Sequence, residues 1–163
     1  MSFLSPVPLF DTHTHFDVSD FDADREELAL KAKQAGVDAL ILIGFLQERF
    51  DTLIQTHLAL NKLQDAPKSY LAPGLHPFYI EQHQTQHLDA LEKVLMENDC
   101  VAIGEIGLDT FLKQHKQADM LEKQKRYFSR QIEMAQHIDK PILLHIRKAP
   151  ADWLGILKED QFK

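Results

Sequence analysis

The sequence predicts an α/β protein, a partial (β/α)8 TIM-type barrel with about five parallel strands and alternating helices. Short apolar runs and amphipathic stretches alternate along the whole chain, with no linker, low-complexity tract or repeat between them. Parallel neighbours need crossovers, and the intervening helices supply them. Residues able to bind metal or move protons, His15, His76, Glu105 and His145, fall at the C-terminal ends of the apolar runs, where such barrels carry their chemistry.

The first strand is Val7 to Phe10, with Pro6 and Pro8 at its start, and it leads into Asp11-Thr12-His13-Thr14-His15-Phe16-Asp17. Side chains alternate along a strand, so His13 and His15 share a face about 7 Å apart and can reach one metal ion. A helix follows from Asp22 or Asp24, as cap, to Gln34, with Leu28, Ala32 and Ala35 on one side and Gly36 as its stop. Val37 to Ile43 is apolar almost throughout, as a strand covered on both faces is.

Glu48 to Gln64 places Phe50, Leu53, Ile54, His57 and Leu58 at helical spacing, and His57 on that stripe is read as a core histidine. Tyr70 to Gly74 is the third strand, closing with Leu75-His76-Pro77. Gln86 to Glu97 is a helix that buries Leu88, Leu91 and Leu95. Cys100 to Gly104 is the fourth strand, and Ala118 to His137 a long helix presenting Leu121, Phe128, Ile132 and Ala135. Pro141 to Leu144 is the fifth strand, and a last helical turn or two runs from Ala151 to Lys158 around Trp153 and Leu154. Strand parity puts Ile103 with Glu105, and Leu143 with His145, on the inward face shared by His13 and His15.

At 163 residues one domain spanning 1–163 is expected. No apolar run approaches the roughly 20 residues of a membrane span. Met1 to Leu9 lacks a basic region and a cleavage site, so no secretory signal is expected. Cys100, the only cysteine, precludes an internal disulfide and suits a cytoplasmic location. A net charge of −7 argues against nonspecific nucleic-acid binding, so an anionic substrate needs local positive charge from metal ions or clustered Arg and Lys.

Several side chains have two readings. Arg147 can grip a phosphate with its guanidinium fork or pair with an acidic neighbour. His76 can touch substrate or a further metal, or serve a turn beside Gly74 and Pro77. Asp11 and Asp17 can orient a ligand, or shape the loop. Asp109 can meet substrate, orient a ligand or make a turn. Lys113, His115 and Lys116 lie in the loop after the fourth strand, either facing substrate or simply solvated. His83 and His87 have i, i+4 spacing in a polar, Gln-rich loop and are not taken as ligands.

Together, Asp11-Thr-His13-Thr-His15-Phe-Asp17, Gly74-Leu-His76-Pro77, Gly104-Glu105-Ile-Gly107-Leu-Asp109 and His145-Ile-Arg147 resemble the TatD family of metal-dependent deoxyribonucleases, within the amidohydrolase-like barrels. The resemblance covers Phe10 to about Asp152. It implies that His13 and His15 bind one divalent metal ion, that Glu105 bridges it to a second, and that His145 binds the second. Glu105 suits a bridge because a carboxylate offers two oxygens. Metal-bound water is acidified towards neutrality, so the implied reaction is hydrolysis of a phosphodiester, with DNA as substrate. Arg147, His76 and Asp109 are the implied substrate-binding residues.

Imidazole ligands favour zinc, manganese, iron, cobalt or nickel, whereas the family is described as magnesium-dependent; Mg, Mn and Zn stay open. The family pattern also has a histidine after a sixth strand and an aspartate after an eighth, which would lie beyond Lys163, and a full barrel takes about 250 residues. The expectation is a chain truncated after its fifth strand, with weak or no turnover, its open side covered by a complementing chain or a homo-oligomer. The alternatives are a catalytically inactive metal-binding fragment or half-barrel module, and hydrolysis of an amide or ester.

Overall fold

A computed structural model of the chain describes residues 7–149 and 152–159. Met1 to Pro6, part of the segment read as lacking a signal, and Ala151, where the last helix was expected to begin, lie outside them. The described residues hold five strands in two parallel sheets, alternating with helices, as the periodicity predicts. They cluster into two compact units, residues 7–43 with 51–71, and residues 44–50 with the remainder from 72 onward.

In the first unit the order is β1 (Leu9–Thr14), α1 (Arg25–Gln34), β2 (Val37–Ile43), α2 (Phe50–Lys62) and β3 (Lys68–Ala72), and the sheet runs β1-β2-β3. Phe50 and Ala72, at the ends of α2 and β3, fall in the second unit. β2 has the expected span, and Leu40, Leu42 and Ile43 are buried. β1 is an edge strand with Leu9 and Phe10 more than half exposed. Its pairing with β2 runs Asp11↔Leu40 and then Thr14↔Leu42, so β1 spends one extra residue across Thr12 and His13. Such a bulge re-aims side chains and overrides simple alternation.

The helix phases differ in part from those expected. In α1 only Ala29 is buried; Ala35 is exposed because the helix ends at Gln34 and Gly36, at φ +100°, turns the chain away. In α2 the buried row is Phe50, Leu53, Thr56 and Leu60, which leaves Leu58 exposed. His57 is half-buried, with Nδ1 3.1 Å from the Ser69 hydroxyl.

The second unit contains α3 (Thr85–Glu97), β4 (Ile103–Asp109), α4 (Ala118–His137), β5 (Ile142–Arg147) and α5 (Asp152–Glu159). α3 buries Leu88, Leu91 and Leu95 as predicted, and α4 has the predicted bounds. β4 lies later than predicted: Cys100 and Ala102 precede it, and the whole Ile103–Asp109 run is strand, all seven residues buried. β5 likewise continues to Arg147. The fourth strand was expected to end at Gly104, which looks like a turn former, and the fifth at Leu144.

Gly107 and Gly74 let backbones approach, and Gly104 admits the Leu143 side chain. A Cβ on Gly107, at φ +143°, would strike the His145 carbonyl of β5, and one on Gly74 would lie 2.6 Å from the carbonyl carbon of Gly104. The β4–β5 register runs Ile103↔Ile142, Ile106↔Leu144 and Gly107↔His145, so β4 carries one extra residue across Gly104 and Glu105. Glu105 therefore does not keep the parity with Ile103 that regular alternation predicts.

Candidate metal centre

In the second unit the residues after β3 and within β4 and β5 converge. The Glu105 N–H donates to the Gly44 carbonyl at 3.1 Å and the His76 N–H to the Phe45 carbonyl at 3.1 Å. These bonds hold two site residues on one short segment, residues 44–45. Among the described residues, donor atoms of His76, Glu105 and His145 lie within 4.8 Å of one another.

His145 is the hub. Its Nδ1 is 3.0 Å from Glu105 Oε1 and its Nε2 2.9 Å from Asp109 Oδ2. Bonding to two carboxylates favours a proton on both nitrogens, and the Glu105 hydrogen bond above all raises the His145 pKa from its ordinary value. His76 sits with its ring 4.2 Å from that of His145. Its Nδ1 accepts the Phe78 N–H at 3.0 Å, which assigns the neutral ring's proton to Nε2, 3.5 Å from Glu105 Oε2. Burial lowers the His76 pKa, so this ring favours the neutral form while its neighbour favours the charged one.

Asp109, expected to meet substrate, orient a ligand or make a turn, is fully buried. One oxygen takes His145 and the other accepts the Phe111 N–H at 2.8 Å. Arg147, expected to meet phosphate or an acidic neighbour, is exposed and stacks on the Phe111 ring, its guanidinium carbon 3.6 Å from the centroid. Lys113 and Lys116 are exposed as a solvated loop would have them. His115 is wholly buried beside the Phe78 ring, and neither ring nitrogen has a hydrogen-bond partner among the described residues.

In the first unit His13 and His15 stand with their rings edge to face, centroids 5.5 Å apart. His15 Nδ1–H donates to the Ile43 carbonyl at 3.0 Å, which leaves Nε2 as the basic nitrogen that a metal needs. The Asp11 carboxylate accepts the His13 backbone N–H at 3.1 Å and so braces the bulge in β1.

Four supporting residues escaped the sequence reading. Arg25 donates to the carbonyls of Phe16, Asp17 and Val18 and to the Asp22 carboxylate, pinning the loop that follows His15. Gln124 and Gln131, both buried on α4, clamp backbone: Gln124 bonds the N–H and C=O of Asp109 at 2.7 and 2.9 Å, and Gln131 those of Leu75 at 2.7 and 3.3 Å. His83, set aside as part of a polar loop, is buried. It donates from Nε2 to the His76 carbonyl at 2.9 Å and stacks on Tyr127, and burial lowers its pKa to about 4.

The donor chemistry fits a divalent ion. Glu105 and His145 bring a carboxylate and an imidazole together, with His76 beside them held through its Nδ1 by Phe78, and Asp109 on His145 Nε2 leaves Nδ1 facing Glu105, the carboxylate–histidine arrangement found behind metal ligands. No helix among the described residues is long and apolar enough to cross a membrane.

Parallel βα units bearing such an imidazole and carboxylate cluster define an α/β protein with a candidate metal centre. The chain belongs to the TatD-related DNase family, whose model matches residues 10–163. It is 31% identical over 152 residues to the uncharacterised metal-dependent hydrolase YabD of Bacillus subtilis, covering 93% of this chain and 56% of that protein. It is 29% identical over 150 residues to the 3'-5' ssDNA/RNA exonuclease TatD of Citrobacter koseri, covering 92% of this chain and 54% of that one. The crystal structure of the TatD homologue YjjV from Escherichia coli matches with a TM-score of 0.75 at 34% identity, over 93% of this chain and 55% of that one. The chain spans about half the length of the curated relatives it matches.

Proposed function

We propose that this chain supplies metal-binding residues of a divalent-metal-dependent hydrolase acting on phosphodiester bonds of DNA. The observation that carries this reading is the convergence of His76, Glu105 and His145, with donor atoms within 4.8 Å, in a chain of the TatD-related DNase family. The name of the Citrobacter relative supports a single-stranded substrate.

His13 and His15 at one ion, Glu105 shared with a second and His145 on the second are the ligand roles the family resemblance supports. Two ions of the Mg, Mn or Zn class would supply Lewis acidity at a phosphoryl oxygen and acidify water. His145 is held for its role by Asp109, which acts through the imidazole and does not touch substrate. His76, neutral and protonated on Nε2, steadies Glu105 or donates to a substrate oxygen. Arg147, fixed in plane by Phe111, offers the outer edge of its fork to a phosphate. A cytoplasmic setting agrees with the buried free thiol of Cys100.

A specific observation favours a second reading, a metal-binding module without turnover. His145 already has both nitrogens on carboxylates, a network that satisfies itself. The exposed edge strand β1 suits a complementing chain or a second copy alongside it.

Incubating the chain with single-stranded DNA and manganese, beside Glu105→Ala and His145→Ala, separates the two. The first reading predicts nucleotide release that a chelator abolishes and both variants lack. Metal binding with no release supports the module, and release indifferent to chelator and to both substitutions contradicts both readings.

A further inference from the structure

Phe111 lies one residue past Thr110, just after β4, and is 42% exposed although it is a large apolar ring in a polar loop. Its backbone N–H is bonded to Asp109 Oδ1, whose other oxygen holds His145. The ring is therefore indexed to the candidate metal residues through a single carboxylate. From β5 the Arg147 guanidinium stacks on it, and Lys148 Nζ lies 5.0 Å from its centroid.

Holding both cations there has a structural cost. Lys148 takes φ +51°, a left-handed backbone that residues with side chains rarely adopt. Thr110 locks it, donating from its hydroxyl to the Lys148 carbonyl and from its N–H to the Arg147 carbonyl at 2.9 Å. Two positive charges against one ring also repel each other. A polyanion relieves that repulsion, and in a chain of net charge −7 such a local basic spot is the feature an anionic substrate requires.

We infer that Phe111, with the Arg147 guanidinium stacked on it, is a ledge that receives a nucleobase next to the reacting phosphate of a single strand, Lys148 meeting the neighbouring phosphate. Aromatic rings and guanidinium planes are the surfaces on which unpaired bases stack, and a base inside a duplex cannot reach them. The ledge makes Phe111 a specificity residue: it selects strands that carry bases and leaves Arg147 free to bind phosphate at its edge. This inference rests on the phosphodiester reading above.

The test compares binding, not turnover, of two phosphorothioate single strands of equal length, one with bases and one abasic throughout, by fluorescence anisotropy with manganese present. Phe111→Ala is expected to weaken the base-bearing strand about 5- to 100-fold and the abasic strand less than about twofold. Phe111→Tyr is expected to restore binding, and 2-aminopurine in the bound strand to be quenched by the unaltered chain but not by Phe111→Ala. Equal loss on both strands, or no loss on either, overturns the ledge while leaving the phosphodiester reading standing. If the unaltered chain binds neither strand, the phosphodiester reading fails and the ledge with it.

Discussion

Asp109 Oδ2 lies 2.9 Å from His145 Nε2, while its other oxygen takes the N–H of Phe111. A carboxylate so placed fixes which nitrogen of the imidazole faces Glu105. Asp109→Asn keeps the size of the side chain but weakens its hold on His145. The expected result is a loss of about 10- to 100-fold in divalent-metal affinity by titration calorimetry, with an unchanged circular dichroism spectrum. Unchanged affinity would show that the orientation of His145 is set elsewhere.

Metal binding should also carry a proton signature. The raised pKa of His145 means that the imidazole is charged in the metal-free protein up to a pH above its ordinary value of 6.5, and an ion must displace that proton. Affinity is therefore expected to climb as pH rises through the His145 pKa. Calorimetry in buffers of different ionisation enthalpy should record proton release that grows as pH falls through the His145 pKa. No release would mean that His145 is not a ligand.

His83 gives an acid-stability prediction with the opposite shift. Its folded pKa of about 4 lies below the unfolded 6.5, so the unfolded chain takes up the proton first. The stabilisation from the neutral ring is complete above about pH 6.5 and falls as pH drops towards 4, by roughly 3 kcal/mol in all. His83→Phe retains a ring against Tyr127 but cannot titrate. Urea denaturation at a series of pH values should show a shallower slope over that window for the variant; identical slopes would refute the assignment.

Gln131 is the clearest structural prediction on α4. Gln131→Leu strands the N–H and C=O of Leu75, next to His76, in a buried place. Unpaired buried groups cost about 1–3 kcal/mol each, so a loss of about 2–5 kcal/mol in unfolding free energy is expected from urea titration. A loss under about 1 kcal/mol would mean that another partner takes over.

The parts of this fold legible in the sequence are those governed by apolar periodicity. Leu88, Leu91 and Leu95 set α3, the run from Val37 to Ile43 set β2, and the face through Phe128, Ile132 and Ala135 set α4. β4 begins later than the hydropathy predicts because Gly104 and Gly107 resemble a turn, whereas in a buried strand Gly104 makes room for the Leu143 side chain and Gly107 for the β5 backbone. The one-residue bulges beside His13 and Glu105 have no signature in hydropathy. Gln124 and Gln131 did leave a signal, since they share the i, i+4, i+7 face of α4 with Phe128 and Ala135, and a polar residue on such a face calls for a buried partner. His83 left none: a histidine among glutamines looks solvated until Tyr127 covers it.

Whether Glu105 and His145 belong to one divalent-metal centre is read from the stoichiometry of manganese bound to the purified chain, by calorimetry and elemental analysis, against Glu105→Gln and His145→Ala. At least one equivalent bound by the unaltered chain, and affinity lowered at least about tenfold in each variant, is the predicted result. Equal binding by all three, or no stoichiometric binding by a folded chain, would contradict it.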